Sequence, residues 1–176
     1  MIGGDQQLFE DVLGIVEYWV PSKAYDHESK FQNELQEFLD VELNDSEDQG
    51  PMGIELGPSR DYVVDREHGQ SRADIAVDDT VGIEMKRNLS NSKAKRELRG
   101  QIEGYLDNYP FVIVVACGLE DTSQWRNLKN KYEGNQGIVG MDQGGTVAFV
   151  HKERDNYGKD PDDLRGGGGM FGDGLL

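Results

Sequence analysis

The sequence has little of the cysteine and none of the long apolar stretches that are typical of secreted and membrane proteins. Its 176 residues include one cysteine, Cys117, so no disulfide forms within the chain, and this cysteine lies in an apolar run that is typical of a buried strand. No apolar stretch has the length of a membrane span, and no basic region precedes an apolar run as in a signal peptide. We expect a soluble, cytoplasmic protein with no membrane partner.

Basic residues are also scarce. Lys and Arg number 18 against 34 Asp and Glu, which gives a formal net charge of −16 and a pI near 4.4. A uniformly acidic surface repels nucleic acid, because binding there depends on neutralising phosphates. The same composition is typical of organisms with molar intracellular salt, where the Debye length falls to about 3 Å and repulsion is screened. We interpret the chain as halophilic, so its negative charge does not exclude nucleic acid as a partner.

Residues 72–86 predict a β-hairpin around which the other elements are organised. Side chains alternate between the two faces of a strand, and the apolar positions 75, 77, 81, 83 and 85 fall on one face. The other face collects Asp74, Glu84 and Lys86 among small residues. Asp74 lies opposite Glu84 if the loop has an odd length, which three loop residues at 78–80 provide. The pattern predicts two adjacent carboxylates beside an ammonium group.

Two adjacent carboxylates repel each other and favour a divalent cation between them. Hard oxygen ligands suit Mg²⁺ or Mn²⁺, and such an ion polarises a phosphate and helps to generate hydroxide from water. Lys86 would position or activate that water, or offset charge that builds on the phosphate. The alternative is an ordinary charged and solvated hairpin face. The tripeptide itself is common, because Glu28-Ser29-Lys30 also matches it.

Two helices are predicted ahead of the hairpin, at 5–20 and 24–43. The first has a wide apolar stripe, which packs against the core or faces a second copy of the chain in a homodimer. Glu28 precedes the apolar residues of the second helix at helical spacing, so it lies on the buried stripe. A carboxylate on a buried face needs a partner. It is either a ligand of the hairpin's metal or a group placed favourably at the positive end of the helix dipole.

A third helix, predicted at 93–108, begins in a run of basic residues. Its core-facing positions are Leu98, Ile102, Tyr105 and Leu106. Between positions 86 and 99 the chain carries six of its 18 basic residues against Glu97 alone. Besides Lys86 these are Arg87, Lys93, Lys95, Arg96 and Arg99. Basic charge beside a metal site resembles the electrostatic footprint of a phosphate-binding surface, so we assign these five residues to nucleic-acid binding. The alternative is a solvated helix face with its own ion pairs.

The second half of the chain predicts further α/β elements within one domain at 1–153. They are a strand at 111–116 that suits burial on both faces, a helix at 122–132 and short strands at 138–141 and 146–151. From residue 154 to 176 the chain is rich in Gly and Asp, which predicts a flexible C-terminal tail. The end of this tail is a candidate docking peptide for a partner.

The order of these elements and motifs resembles the PD-(D/E)XK nuclease superfamily, which has the restriction-endonuclease-like fold. The resemblance covers residues 24–117, with Asp74 on one hairpin strand and Glu84 and Lys86 forming the Glu-x-Lys motif on the next. It implies an α/β fold with an αβββαβ core, in which a central mixed sheet is flanked by helices. One departure is that Ala73, and not proline, precedes Asp74.

The resemblance also implies residue roles and a substrate. Glu28 matches the acidic residue of the first core helix and would hold one or two Mg²⁺ ions together with Asp74 and Glu84. Lys86 would assist the attack of water on a phosphodiester bond of DNA, and Gln101 resembles a glutamine on the following helix in some subfamilies. Two alternatives are a non-catalytic nucleic-acid-binding or assembly module on the same fold, and an acidic interaction protein whose charge keeps it soluble.

Overall fold

The sheet is the centre of the molecule, whose computed structural model describes residues 2–44, 61–66, 72–135 and 145–165. Its strands lie side by side in chain order, antiparallel from β1 to β3 and parallel from β3 to β5. They are β1 (Val64–Arg66), β2 (Ile75–Val77), β3 (Val81–Lys86), β4 (Phe111–Cys117) and β5 (Thr146–Lys152). The prediction of an α/β fold with a central mixed sheet is therefore confirmed.

Helices cover both faces of this sheet and enclose two separate apolar cores. They are α1 (Ile2–Tyr18), α2 (Glu28–Asn44), α3 (Ser92–Leu106) and α4 (Ser123–Asn135). Residues of α1 and α2 share one core with Ile83 and Met85 of β3, and residues of α3 and α4 share the other with Ala76 of β2. Because each face has helices against it, β4 is apolar throughout and six of its seven residues are buried, as its sequence predicts.

The hairpin has the predicted register and loop. Ile75 pairs with Ile83 and Val77 with Val81, which leaves residues 78–80 as the loop. Asp78 and Asp79 have positive φ angles of 50° and 51°, a conformation that Asp tolerates better than most residues. The same register places Asp74 opposite Glu84. The interpretation of this face as solvated is wrong, because α3 covers it and Glu84 is 1% exposed.

The chain beyond β5 folds back onto α1 and α2 instead of becoming a tail at residue 154. It forms a 3-10 turn (Arg154–Asn156) and a short helix, α5 (Pro161–Arg165). Tyr157 packs against Phe31 with ring centroids 5.9 Å apart, and Gly158 N donates a hydrogen bond to Pro21 O. An aromatic residue within a Gly- and Asp-rich stretch therefore extends the packed region to Arg165. Positions 166–176 lie outside the described residues, as does the predicted strand at 138–141.

Within the described ranges, no helix is long and apolar enough to cross a membrane. The longest ones, α1 and α2, have 17 residues each, and α2 is strongly amphipathic, with Leu35 and Leu39 buried and Glu37 and Asp40 exposed. This pattern belongs to a helix that packs on a sheet and faces water with its other side.

Candidate active site

The four predicted site residues of the hairpin and of α2 meet at one edge of the sheet. Glu28 is the first residue of α2, Asp74 immediately precedes β2, and Glu84 and Lys86 lie at the end of β3. Each of the four side chains is among the charges that shift the pKa of at least one of the others. The structure therefore brings together residues that are up to 58 positions apart in the sequence.

Glu84 is the most enclosed member of this group. Its side chain leaves β3 toward α3, and its two carboxylate oxygens have different partners. Lys86 Nζ lies 2.6 Å from Oε1, and the Tyr105 hydroxyl donates a hydrogen bond to Oε2 over 2.9 Å. Burial and the neighbouring Asp74 carboxylate raise the pKa of Glu84 to about 7, against the opposing effects of Lys86 and Tyr105. Near neutral pH, Glu84 is therefore present in both its charged and its neutral form.

Asp74 is oriented by the backbone of the neighbouring strand and by α2. Its Oδ2 accepts a hydrogen bond from Met85 N over 2.8 Å, and Gln32 also bonds its side chain. Gln32 Oε1 in turn accepts a hydrogen bond from Arg66 Nη2 over 2.6 Å. Burial raises the pKa of Asp74, while the Met85 amide, Lys86 and the Gln32–Arg66 pair act in the opposite direction. Asp74 is therefore held in one orientation but is costly to keep charged.

Glu28 faces the same site from the start of α2. Its Oε2 accepts a hydrogen bond from Arg87 N over 3.0 Å, which links the helix to the end of β3. Burial raises the pKa of Glu28, and Lys86 opposes this shift more strongly than any other charge. Glu28 therefore interacts with the hairpin site as well as with the positive end of its helix, so its two predicted roles are compatible.

Lys86 is the common counter-charge of the three carboxylates. Its side chain is 19% exposed, and burial by itself would favour the neutral amine. Glu84, Glu28 and Asp74 outweigh this effect and raise the pKa of Lys86 above its usual value. Lys86 is therefore protonated at neutral pH. Three carboxyl groups share one ammonium, so the site has room for further positive charge.

The arrangement is suited to a cation bound by two carboxylates and water. In the described part of the chain, no three Asp, Glu, His or Cys side chains converge closely enough to form a metal-binding cluster. Mg²⁺ nevertheless requires only one or two protein carboxylates, because it retains several of its waters. Asp74 and Glu84 supply these on adjacent strands. Since Lys86 and Tyr105 engage both oxygens of Glu84, a metal at this carboxylate would compete with Lys86.

Four of the five basic residues assigned to nucleic-acid binding lie on α3, where other side chains engage most of them. On α3, Lys93 and Arg99 pair with acidic residues one turn later, with N–O distances of 3.8 and 2.8 Å. Lys95 Nζ donates a hydrogen bond to the Asn127 side chain, and Arg96 is exposed. The partner of Arg99 is Glu103, which lies four residues beyond the basic run at 86–99. Exposed pairs of this kind contribute little to stability but reduce the positive potential of the helix.

Arg87 differs from the basic residues of α3. Its guanidinium donates a hydrogen bond to Asp26 O and its backbone amide bonds Glu28, so it stands at the border of the carboxylate site. Gln101 is half-buried on α3, one turn before Tyr105. It therefore belongs to the helix that covers Glu84, but the hydrogen bond to the carboxylate comes from Tyr105.

Tyr105, Gln32 and Arg66 are site residues that the sequence patterns did not indicate. The spacing of Tyr105 on α3 identifies it correctly as a core-facing residue, but says nothing about its hydroxyl group. The available signal was its position four residues after Gln101, which places both on one side of α3. Gln32 and Arg66 reach the site because α2 packs against β1. The local sequence pattern of neither element predicts this packing.

Comparison of the chain with protein-family models, curated proteins and solved structures gives no match.

Proposed function

We propose that the protein is a Mg²⁺-dependent nuclease of the PD-(D/E)XK type, with a restriction-endonuclease-like core, that hydrolyses phosphodiester bonds in DNA. The observation that carries the proposal is a set of three interacting carboxyl groups around one lysine, of which Glu84 is 1% exposed and Glu28 and Asp74 are half-buried. Buried charges of one sign are costly unless they bind a counter-ion or serve a reaction. A purely structural site would gain stability from replacing them.

In the proposed enzyme, Asp74 and Glu84 hold the metal, and Glu28 supports them from α2. A bound Mg²⁺ supplies Lewis-acid polarisation of a phosphate oxygen and lowers the pKa of water. Because its own pKa is raised, Lys86 acts as a charged hydrogen-bond donor to the attacking water or to the phosphate, and not as a general base. Tyr105 and Met85 N orient the two carboxylates.

The second candidate is a nucleic-acid-binding or assembly module without catalysis. One observation favours it: both oxygens of Glu84 are already engaged by side chains, and no cluster of three metal-binding groups exists in the described ranges. In such a module, Glu84 and Lys86 would be a buried ion pair. The two candidates differ in whether a metal changes the stability of the protein, since a ligand that binds only the folded state raises it.

The test is cleavage of supercoiled and linear DNA with Mg²⁺ or Mn²⁺ across a KCl series up to molar concentrations. Wild type is compared with Glu84→Gln and Asp74→Asn, and with Glu97→Gln as a control that removes one exposed charge from α3. We expect both site variants to lose more than about 100-fold, beyond the usual effect of removing an outer-shell partner, while the control retains activity. Folded wild type that neither cleaves DNA nor gains thermal stability from the metal would reject the nuclease.

A further inference from the structure

A cleft of about 640 Å³ adjoins the carboxylate site at the same edge of the sheet. One side is formed by the turn that leads into α2, and the other by residues 117–121 after β4. Glu28 and Arg87 belong both to the cleft and to the border of the site. A ligand in the cleft would therefore lie directly beside a group bound at the carboxylates.

Two arginines line this cleft. Arg87 comes from the end of β3 and Arg154 from the 3-10 turn after β5, and both line the cavity. The positive charges of both guanidinium groups also reach the buried Tyr157 hydroxyl, where each favours the ionised form although burial raises the pKa of that group overall. Like charges that approach one common point repel each other unless an anion lies between them.

The two arginines are positioned in different ways. Arg87 is held by the hydrogen bond from its guanidinium group to Asp26 O. The backbone at Arg154 is anchored by the hydrogen bond that Tyr157 N donates to Arg154 O and by the packing of the Tyr157 ring against Phe31. The Arg154 side chain is exposed, so its guanidinium group is open to a ligand. Guanidinium groups bind phosphate oxygens with paired, charge-assisted hydrogen bonds.

Carboxylates also line the cleft and restrict where an anion can bind. Asp121 accepts a hydrogen bond from Ser123 N at the start of α4, which lowers the pKa of this carboxyl. It therefore remains charged on the wall formed by residues 117–121. Together with Glu120 on the same wall, it repels phosphate there. Among the residues that the structure describes, Arg87 and Arg154 are the only Arg or Lys residues that line the cleft, so a phosphate would bind beside them.

We propose that Arg87 and Arg154 form a phosphate subsite for the nucleotide next to the one being cut, and that the cleft takes a single strand of nucleic acid. This inference rests on the proposed function, because Glu28 and Arg87 join the subsite to the catalytic carboxylates. The volume is in the range of small-molecule pockets, which admits a nucleotide but not a duplex. The exposed cationic face of α3 would then have a secondary part in binding.

The experiment measures the binding of a fluorescein-labelled single-stranded oligonucleotide, as DNA and as RNA, and of the corresponding blunt duplex DNA. Anisotropy is recorded in Ca²⁺ at several KCl concentrations, and cleavage of the same substrates is recorded in Mg²⁺. Arg154→Gln is compared with wild type and with Lys159→Gln, a control that removes an exposed positive charge from the same segment outside the cleft. Arg154→Lys tests whether a point charge is sufficient.

We expect Arg154→Gln to weaken single-strand DNA binding about tenfold, as the loss of a charge-assisted contact predicts. Its log Kd against log salt slope should fall by about 0.7, the value for one phosphate contact to a single strand. Lys159→Gln should change binding less than about twofold, and Arg154→Lys should recover part of the loss. Tighter binding of RNA than DNA with the same dependence on Arg154 would support the subsite and assign it to RNA.

Equal binding by Arg154→Gln and Lys159→Gln, with metal-dependent cleavage intact, would overturn the subsite but leave the nuclease in place. If the binding of duplex DNA depended on Arg154 as strongly as the binding of single-stranded DNA, the assignment of the cleft to a single strand would be overturned. If Arg154→Gln lost binding and wild type neither cleaved the substrates nor gained thermal stability from the metal, the cleft would be a nucleic-acid-binding site and the nuclease would be rejected. The two proposals therefore fail in different ways.

Discussion

Tyr105 donates its hydroxyl hydrogen to Glu84 Oε2 over 2.9 Å, from a helix that packs across the strand carrying the carboxylate. This bond connects the cover of the site to its most buried acid. It stabilises the charged form of Glu84, whereas burial and Asp74 disfavour that form. Tyr105 is thus a positioning residue that helps to keep Glu84 ionised near neutral pH.

Replacement of Tyr105 by Phe should therefore change both activity and its pH dependence. The ring remains, but the carboxylate loses a donor, so the pKa of Glu84 rises and a larger fraction is protonated at neutral pH. We expect kcat to fall about 10–100-fold at pH 7, as for the loss of other second-shell partners, with a smaller loss at higher pH. The measurement is a pH–rate profile of DNA cleavage.

Tyr132→Phe is the matched control for Tyr105→Phe. Tyr132 belongs to α4, and its hydroxyl is also buried, but it has no hydrogen-bond partner in the described part of the chain. Its removal should leave the pH–rate profile unchanged. If the two Phe variants had the same profile as wild type, the Tyr105–Glu84 bond would have no part in catalysis.

Asp74→Asn should stabilise the metal-free protein while it abolishes cleavage. The pKa of Asp74 is raised, so its charged form is less favourable in the folded state than in the unfolded state at neutral pH. Asn retains an oxygen that can accept the hydrogen bond from Met85 N and removes the repulsion with Glu84. We expect a gain of about 1 kcal/mol in the free energy of unfolding at pH 8, measured by urea denaturation.

The control for Asp74→Asn is Asp65→Asn, which makes the same charge change on an exposed residue of β1. It should alter stability by less than about 0.5 kcal/mol, as is usual for an exposed position. Destabilisation by Asp74→Asn instead would show that Asp74 is retained for structure, which would weaken the argument for a functional site.

The sequence predicts those parts of the site that depend on local periodicity. The alternation of Ile75, Ile83 and Met85 predicts the register of the hairpin and hence the approach of Asp74 to Glu84. The sequence cannot predict what covers the polar face, because a helical stripe indicates which side is buried and not what its polar groups meet. Tyr105 is the example in this site, since its burial was predicted but its bond to Glu84 was not.

Composition has a similar limit at the C-terminal segment. Averaged over residues 154–176, Gly and Asp predict a tail, yet one aromatic ring at Tyr157 is enough to dock the first part of it against Phe31. The charge pattern of α3 has the same limit. The basic run at 86–99 ends before Glu103, the acidic partner of Arg99.

Lys152 provides a pH-dependent prediction outside the site. It lies at the end of β5, 9% exposed, and its Nζ donates a hydrogen bond to Glu17 O at the end of α1. Burial lowers the pKa of Lys152 from 10.5 to about 8. Between these two values the unfolded chain binds more protons than the folded protein, so this lysine makes stability increase as pH rises from about 8 to 10.5.

Lys152→Met should therefore be more stable than wild type at pH 7, by roughly 1–3 kcal/mol, because the cost of a buried charge is removed. The difference should shrink toward pH 10, where wild type holds the neutral amine. Urea denaturation at pH 7, 8.5 and 10 measures it, with Lys159→Met as an exposed control. A difference that stays constant over this range would show that Lys152 has an ordinary pKa.

Gly82→Ala tests how closely α3 covers the polar face of the hairpin. Gly82 lies two residues before Glu84 on the same face, and a Cβ atom there would be 2.7 Å from the ring of Tyr109 and 3.1 Å from Ala73 Cβ. Tyr109 lies three residues after α3 and is 3% exposed, so its ring has little room to move away. We expect a loss of about 1–3 kcal/mol, as for other overpacked cores.

Gly100→Ala on α3 should have the opposite effect on stability. Nothing lies within 4 Å of a Cβ atom at Gly100, which is exposed within the helix. Ala is favoured over Gly in a helix by about 0.8–1.0 kcal/mol, so this variant should be more stable than wild type. Urea denaturation of both variants measures the expected loss and the expected gain in the free energy of unfolding. Since Tyr109 N donates a hydrogen bond to Tyr105 O, Gly82→Ala should also move the Tyr105 hydroxyl away from Glu84 and reduce cleavage, whereas Gly100→Ala should not. If Gly82→Ala were neutral in both assays, the polar face of the hairpin would be more open than the close contact with Tyr109 implies.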